Sequence, residues 1–179
     1  RDGVWLDLPT TTEQVQAALR QIGISSDNPQ GLFISGYFAE EEKRFAIPYN
    51  MVLASNVDEL NFLASRLETL STGERTELNA VLQALQSELF SIGRITDFPE
   101  NVDYYVHLPD VHGPAQLGDY YLNRSGMVNM PEEWKGGIDT AQFGRYVAQQ
   151  EQGVFTEYGY LVKSGDEWQK VHEGQPVPE

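Results

Sequence analysis

Apolar positions repeat at helical spacing through the middle of the chain and gather in short strand-like runs towards either end. Val4-Trp5-Leu6-Asp7-Leu8 reads as a short strand stopped by Pro9. Thr10 and Glu13 have capping-box spacing, and Val15, Ala18, Leu19 and Ile22 then fall on one helical face. Gly23 suits the left-handed position that closes a helix. Asp27-Asn28-Pro29-Gln30-Gly31 reads as a loop, Leu32 to Phe38 as a second strand, and Lys43 to Ile47 as a third, joined through Ala39-Glu40-Glu41-Glu42. Residues 1–52 therefore read as an α+β domain.

Residues 53–100 change period. Ser55 or Asn56 can cap a helix carrying Leu60, Leu63, Ala64, Leu67 and Leu70. Thr72 can cap a second, with Leu78, Val81, Leu82, Leu85 and Leu89 in rows. The Ser71-Thr72-Gly73 link is short, so the expectation is an antiparallel helix pair whose apolar rows form core. Residues 101–172 read as mixed α+β. Val102 to Leu108 is a strand ended by Pro109. Pro114 opens a short helix with Leu117, Tyr120, Tyr121 and Leu122, ending near Gly126. Pro131 to Trp134 forms a helical turn, Ile138 to Gln149 a longer helix, and Val154 to Val162 a strand. Ser164-Gly165-Asp166 turns into Trp168-Gln169-Lys170-Val171, and residues 173–179 read as a disordered tail. No repeat or low-complexity segment interrupts the order.

Charge changes this picture. The 179 residues hold 27 acidic and 12 basic side chains, a net charge of -15. The excess is spread: -5 over residues 1–60, -3 over 61–100 and -7 over 101–179. Acidity of this kind often means only solubility. At 40% apolar and 11% aromatic residues, however, the chain can bury a core, so it is not a disordered acidic tail. Zero cysteine removes disulfides, thiolate metal sites and cysteine catalysis. No run approaches the roughly 20 apolar residues of a membrane span. With no signal peptide and no cysteine, a cytoplasmic location is expected. The chain opens on Arg1 rather than methionine, at the edge of a strand-like run, and the expectation is that its natural N-terminus has been cut.

Catalytic and ligand motifs are scarce. No glycine-rich dinucleotide loop, Walker loop or nucleophile elbow is present. His107, Asp110 and His112 are the nearest approach to a metal cluster, but Pro109 and Gly113 mark an exposed loop where two surface histidines are the simpler reading. Asn123-Arg124-Ser125 is a glycosylation triplet only in a secreted protein. Carboxylate pairs suited to hydrolysis need a proximity that spacing does not supply. The reading is therefore of a non-enzyme, without cofactor or metal.

The acids matter by their dispersion. A globular polyanion repels nucleic acid and attracts the basic surfaces that nucleic acid would attract. It can imitate the polyanion rather than bind it. Glu68, Glu74, Glu77, Glu88, Asp97, Glu100, Asp103, Asp110, Asp119, Glu132 and Glu133 recur through the middle and last parts, and they are the candidate partner-binding carboxylates.

Six stretches in order carry a family resemblance. They are Gly3 to Pro9, Glu13-Gln14-Val15 to Gly23-Ile24, Asn56 to Ala64, Leu117-Gly118-Asp119-Tyr120-Tyr121, Ile138 to Arg145, and Gly153 to Tyr160. With these the chain resembles the ArdA-type antirestriction proteins of mobile genetic elements. The resemblance implies an elongated, curved, three-part homodimer that mimics bent B-form DNA. It implies a type I restriction-modification enzyme as partner, bound at its DNA-binding groove, and no catalysis. It also implies that the family's first strand is missing here and that Trp168 to Glu179 has no counterpart. Among matched acids, Asp58, Glu59, Asp119 and Asp139 compete for roles as helix caps or first-turn charges, and capping is preferred for Asp58 and Asp139. Arg145 reads as ordering an acidic neighbour. For the dimer surface, the aromatic-rich last third is one candidate, with Tyr120, Tyr121, Phe143, Tyr146, Phe155, Tyr158 and Tyr160, most of them core. Two other readings stand beside the mimic: a general acidic module for another basic partner, such as a nucleoid protein or transcription regulator, and an unrecognised hydrolase.

Overall fold

Thr11, not Thr10, starts the first helix in the computed structural model, which describes residues 3–24, 32–84 and 91–171. Thr11 Oγ1 accepts from the Gln14 N–H and the Thr11 N–H donates to Gln14 Oε1, so the capping box is shifted by one residue and uses Gln14 instead of Glu13. Thr10 is engaged elsewhere: its backbone exchanges hydrogen bonds of 2.6 and 3.1 Å with the side chain of Asn61. Helix α1 (Thr12–Gln21) ends as expected, with Gly23 at φ +75°. The Gly23 and Ile24 N–H groups reach back to the Arg20 and Leu19 carbonyls, which closes the helix as a Schellman motif.

Contacts divide the chain into two compact units, one of residues 1–70, 90–99 and 170–179, the other of residues 71–89 and 100–169. In the first, the strand-like runs form no ladder among the described residues. Residues 4–8, 32–38 and 43–47 contain no strand, and a 3₁₀ turn at Glu41–Lys43 interrupts the last of them. Strand propensity measures fit to a pleated, half-buried surface, and among the described residues none of these runs is paired into a sheet. Trp5, Phe33 and Phe38 remain 75%, 73% and 75% exposed. Side chains help to order them: Tyr37 and Tyr49 stack at 5.4 Å, and the Tyr37 hydroxyl donates to the Ile47 carbonyl.

The core of this unit is helical. A short helix α2 (Tyr49–Leu53), not foreseen, buries Val52. Helix α3 (Val57–Glu68) begins with a full capping box between Asn56 and Glu59, and Asp58 is a first-turn acid rather than the cap. Leu60, Leu63 and Leu67 are buried, as the period predicts. Helix α4 (Thr72–Ala84) belongs to the second unit, so the expected helix pair does not form the core of one domain; α3 packs instead on the unforeseen α5 (Ile92–Thr96). Ile92, Ile95 and Phe98 complete that core.

In the second unit, Ser71 rather than Thr72 caps α4, in a box with Glu74. Leu78, Val81 and Leu82 are buried, and the helix packs on the strands at Val154–Thr156 and Gly159–Lys163; Leu85 and Leu89 lie outside the described residues. The expected strand from Val102 starts later. Val102–Tyr104 is a 3₁₀ turn, and β1 runs over Tyr105–Leu108. The expected strand over 154–162 is a hairpin, β2 (Val154–Thr156) and β3 (Gly159–Lys163), turning at Glu157-Tyr158. Gly159, at φ +118°, supplies the backbone conformation for that turn, and Thr156 Oγ1 donates to its carbonyl. The sheet is antiparallel in the order β1-β3-β2, with Tyr105 opposite Lys163 and Leu108 opposite Tyr160.

Helix α6 (Pro114–Asp119) has Pro114 in its first turn and continues as a π-helical turn over Tyr120–Arg124, stopping before Gly126 at φ +71°. Helix α7 (Glu132–Lys135) is the predicted turn, and α8 (Thr140–Glu151) is capped by Asp139, whose carboxylate accepts from the Gln142 N–H at 3.0 Å. Helices α6 and α8 cross at backbone contact. A Cβ on Gly118 would overlap the Thr140 carbonyl, and one on Gly144 would overlap the Pro114 carbonyl. Two of the six matched stretches are thus the two sides of one helix crossing. Beside it, Val111, Leu117 and Tyr160 form a core against Leu108, Tyr120, Val147 and Phe155. Tyr121 and Tyr160 both donate to the Glu151 carboxylate, at 2.5 and 2.9 Å. That ties the π-helical turn and β3 to the end of α8. The 173–179 tail lies outside the described residues.

Candidate acidic interaction surface

The second unit carries the larger charge, 14 acidic against 5 basic residues for -9, while the first holds 13 against 7 for -6. The candidate carboxylates divide by environment. Glu68, Asp103, Asp110 and Glu133 are exposed and make no ion pair among the described residues. Glu100 is exposed as well. Glu132 is exposed but pairs with Lys135 at 2.6 Å, one helical turn on. Asp119 is half-buried, accepts from Asn123 Nδ2 at 2.8 Å and lies 3.6 Å from Arg124 Nε. Surface pairs of this kind contribute about 0–1 kcal/mol and mute the field of the acid. Glu88 lies outside the described residues.

Asp97 is not at the surface. It is 5% exposed, at the C-cap of α5 beside the buried Phe98. Its role is structural, and it cannot present charge to a partner. A lone Asp between Thr96 and Phe98 gave no sign of this, because α5 is too short to show a period.

Three candidates come together. Glu74 and Glu77 lie three residues apart on α4, hence on one face. Asp103, in the 3₁₀ turn before β1, is near enough for its charge to act on Glu77. Glu74 is held below the usual carboxylate range by the Ser71 hydroxyl and then by the Ser71 N–H, which donates at 2.7 Å. Glu77 is pushed the other way, up to about 7, first by burial and then by the charges of Glu74 and Asp103. Its Oε1 is sealed from solvent and has no hydrogen-bond partner.

In the second unit, exposed acids missed by the sequence reading are Glu157, Asp166 and Glu167. Glu157 was hidden because the hairpin was read as one strand; its N–H donates to Gln83 Oε1 at 2.9 Å. Glu151, by contrast, is consumed by its two tyrosines. Those hydroxyls are pushed well above the usual phenol range by burial and then by bonding to the carboxylate. Of the seven rings named for a dimer surface, Tyr160 is buried, Tyr146 is 61% exposed and the other five are half-buried. Arg145 is exposed on α8.

The metal reading gains nothing. His107 Nε2 is bonded to the Tyr158 carbonyl at 2.7 Å, and His112 and Asp110 are exposed. Among the described residues no group of three His, Asp or Glu side chains is placed to hold a metal ion. Among them, too, no helix is long and apolar enough to cross a membrane.

The model of one protein family, described as "Antirestriction protein (ArdA)", matches residues 1–162. No curated protein matches the chain. The match stops within β3, so the segment from Trp168 lies beyond it, as the sequence comparison implied. Trp168 and Gln169 are nevertheless part of the second unit's structure: Gln169 exchanges backbone hydrogen bonds of 2.7 and 2.9 Å with the Asn101 side chain, and Trp168 packs edge-on against Tyr104.

Proposed function

We infer the mode of action from the premise that this chain belongs to the ArdA family of antirestriction proteins. It is a non-catalytic inhibitor that enters the DNA-binding groove of a type I restriction-modification enzyme, its carboxylates standing where DNA phosphates would lie. The observation that carries this reading is the family match over residues 1–162. The dispersed charge of -15 supports it, as does the exposure of Glu68, Glu100, Asp103, Asp110 and Glu133. Duplex DNA carries one charge per roughly 1.7 Å of axis, and a groove evolved for that density binds a polyanion by counterion release as much as by shape.

The full proposal is a curved, elongated, cytoplasmic homodimer of chains built in consecutive parts. Two chains together carry twice the charge, so an apolar surface must offset the repulsion; exposed Tyr146 is a candidate within it. Light scattering at tens of micromolar protein tests the dimer. The function is tested by titrating a type I restriction enzyme with the protein while labelled duplex DNA competes. Displacement of DNA with loss of cleavage is expected. Loss of cleavage with DNA still bound would rule out occupation of the groove.

A further inference from the structure

The family match ends at residue 162, and the segment after it folds back on residues inside the match. The Ser164 N–H donates to the Tyr104 carbonyl at 3.0 Å and the Ser164 hydroxyl to the same oxygen at 3.1 Å, so the pairing of β1 with β3 runs one residue past β3. Gly165, at φ +98°, then turns the chain, and Ser164 Oγ accepts from the Asp166 N–H at 3.2 Å. Gln169 meets Asn101, whose side chain uses both amide functions on one residue's main chain. Asn101 Oδ1 accepts from the Gln169 N–H at 2.7 Å, and Nδ2 donates to the Gln169 carbonyl at 2.9 Å. Trp168 stands edge-on to Tyr104 with ring centres 5.2 Å apart, and Tyr104 stands edge-on to Tyr105 at 4.9 Å.

The two sides of this contact differ. The receiving side belongs to the core: Asn101 is 4% exposed and Tyr105 is buried. The received side does not: Ser164 to Glu167 and Gln169 are exposed, and Trp168 is half-buried. A segment tied by exposed backbone bonds and one ring opens at a lower free energy than the sheet it follows. Asn101 binds main chain at position 169, which any residue but proline satisfies. Tyr104 packs on a ring at position 168.

We propose that residues 164–169 are a releasable strap, and that Asn101 with Tyr104 is a peptide dock which the strap fills in cis. The dock's ligand class is a short peptide with an aromatic residue followed by any residue that keeps its N–H. The strap is the dock's intramolecular competitor. It follows β3 directly and so holds a high effective concentration at Asn101. A free peptide of the same sequence enters only when the strap is released.

The experiment uses the whole chain. In the wild type the Gln169 amide should exchange its hydrogen at least about tenfold more slowly than an unprotected amide and at least about tenfold faster than the slowest amides of β3. Exchange at the β3 rate means that the strap opens only with the fold, and exchange at the unprotected rate means that nothing latches it; either overturns the proposal. Gln169→Pro then removes the N–H that Asn101 accepts, at an exposed position. Trp5 and Trp134 are 75% and 67% exposed, so a change in tryptophan emission reports chiefly on Trp168. Gln169→Pro should shift the emission to the red with circular dichroism unchanged; unchanged emission overturns the strap. A peptide of residues 164–169 with blocked ends is finally added to ¹⁵N-labelled protein, at salt that screens the charge of the chain. The Asn101 side-chain amide signals should move in Gln169→Pro, with an apparent affinity at least about tenfold above that of the wild type. They should stay still when the peptide itself carries Gln169→Pro. No movement in the variant at millimolar peptide, or equal affinity in the two proteins, overturns the dock.

Discussion

The two units have almost equal lengths of chain and are held together by different means. The first rests on helix-to-helix burial, with α3 packed on α5 and Leu60, Leu63, Leu67 and Ile95 buried, while its strand-like runs pair into no sheet among the described residues and leave Trp5, Phe33 and Phe38 in solvent. The second combines a sheet, a glycine-to-backbone helix crossing and a carboxylate clamped by two phenols. The more heavily charged unit is thus also the one with the closer-fitted interior. A surface of like charges pushes its own elements apart. The internal contacts of the second unit are what resist that push, so charge and packing belong to one account.

The largest test of that contrast is Gly144→Ala. The new methyl group meets the Pro114 backbone, which has no rotamer by which to move aside. A loss of at least about 3 kcal/mol is expected, the upper end for overpacked positions. Hydrogen exchange should place the lost protection in α6, α8 and the sheet. A loss under about 1 kcal/mol would mean that the crossing is looser than described. Tyr160→Phe comes next. It removes one of the two hydroxyls on Glu151 and leaves the carboxylate under-bonded, for about 1.5–3 kcal/mol by denaturant unfolding. In the first unit, Asn56→Ala removes one side of a capping box and should lower stability by about 1 kcal/mol. The smallest effect belongs to Phe33→Ser. This ring is 73% exposed, and the change should stay within about 0.5 kcal/mol. A larger loss there would show that the first unit's aromatic runs are held by packing after all, and the contrast between the units would weaken.

Helix ends were legible in the sequence because caps are local chemistry. Gly23, Pro114 and Asp139 stand where their types predicted, and the Asn56 box needed only the four residues that form it. Thr10 against Thr11 was decided by Asn61, 51 residues away, which no local pattern contains. Strands failed for the same reason. Val4 to Leu8 and Leu32 to Phe38 have strand composition, but a strand exists only with a neighbour. The α2 and α5 helices are five residues each, shorter than two turns, so their period could not be read. For the site, dispersion of acid was plain from the sequence while availability was not. Asp97 is buried by α5, Asp119 and Glu132 are paired, and Glu77 is desolvated, each through a neighbour that charge counting does not reveal.

The central claim is that many exposed carboxylates, not one pocket, engage the partner. Its most direct measurement is the affinity of this protein for a type I restriction enzyme across a series of salt concentrations, for the wild type, for Glu133→Lys alone, and for Glu68, Asp103, Asp110 and Glu133 reversed together. Affinity should fall steeply with salt, as DNA binding does. The single reversal should weaken it by about 0.2–1 kcal/mol, and the four together by about 1–4 kcal/mol. Salt-independent binding, or complete loss from one substitution, would contradict the account.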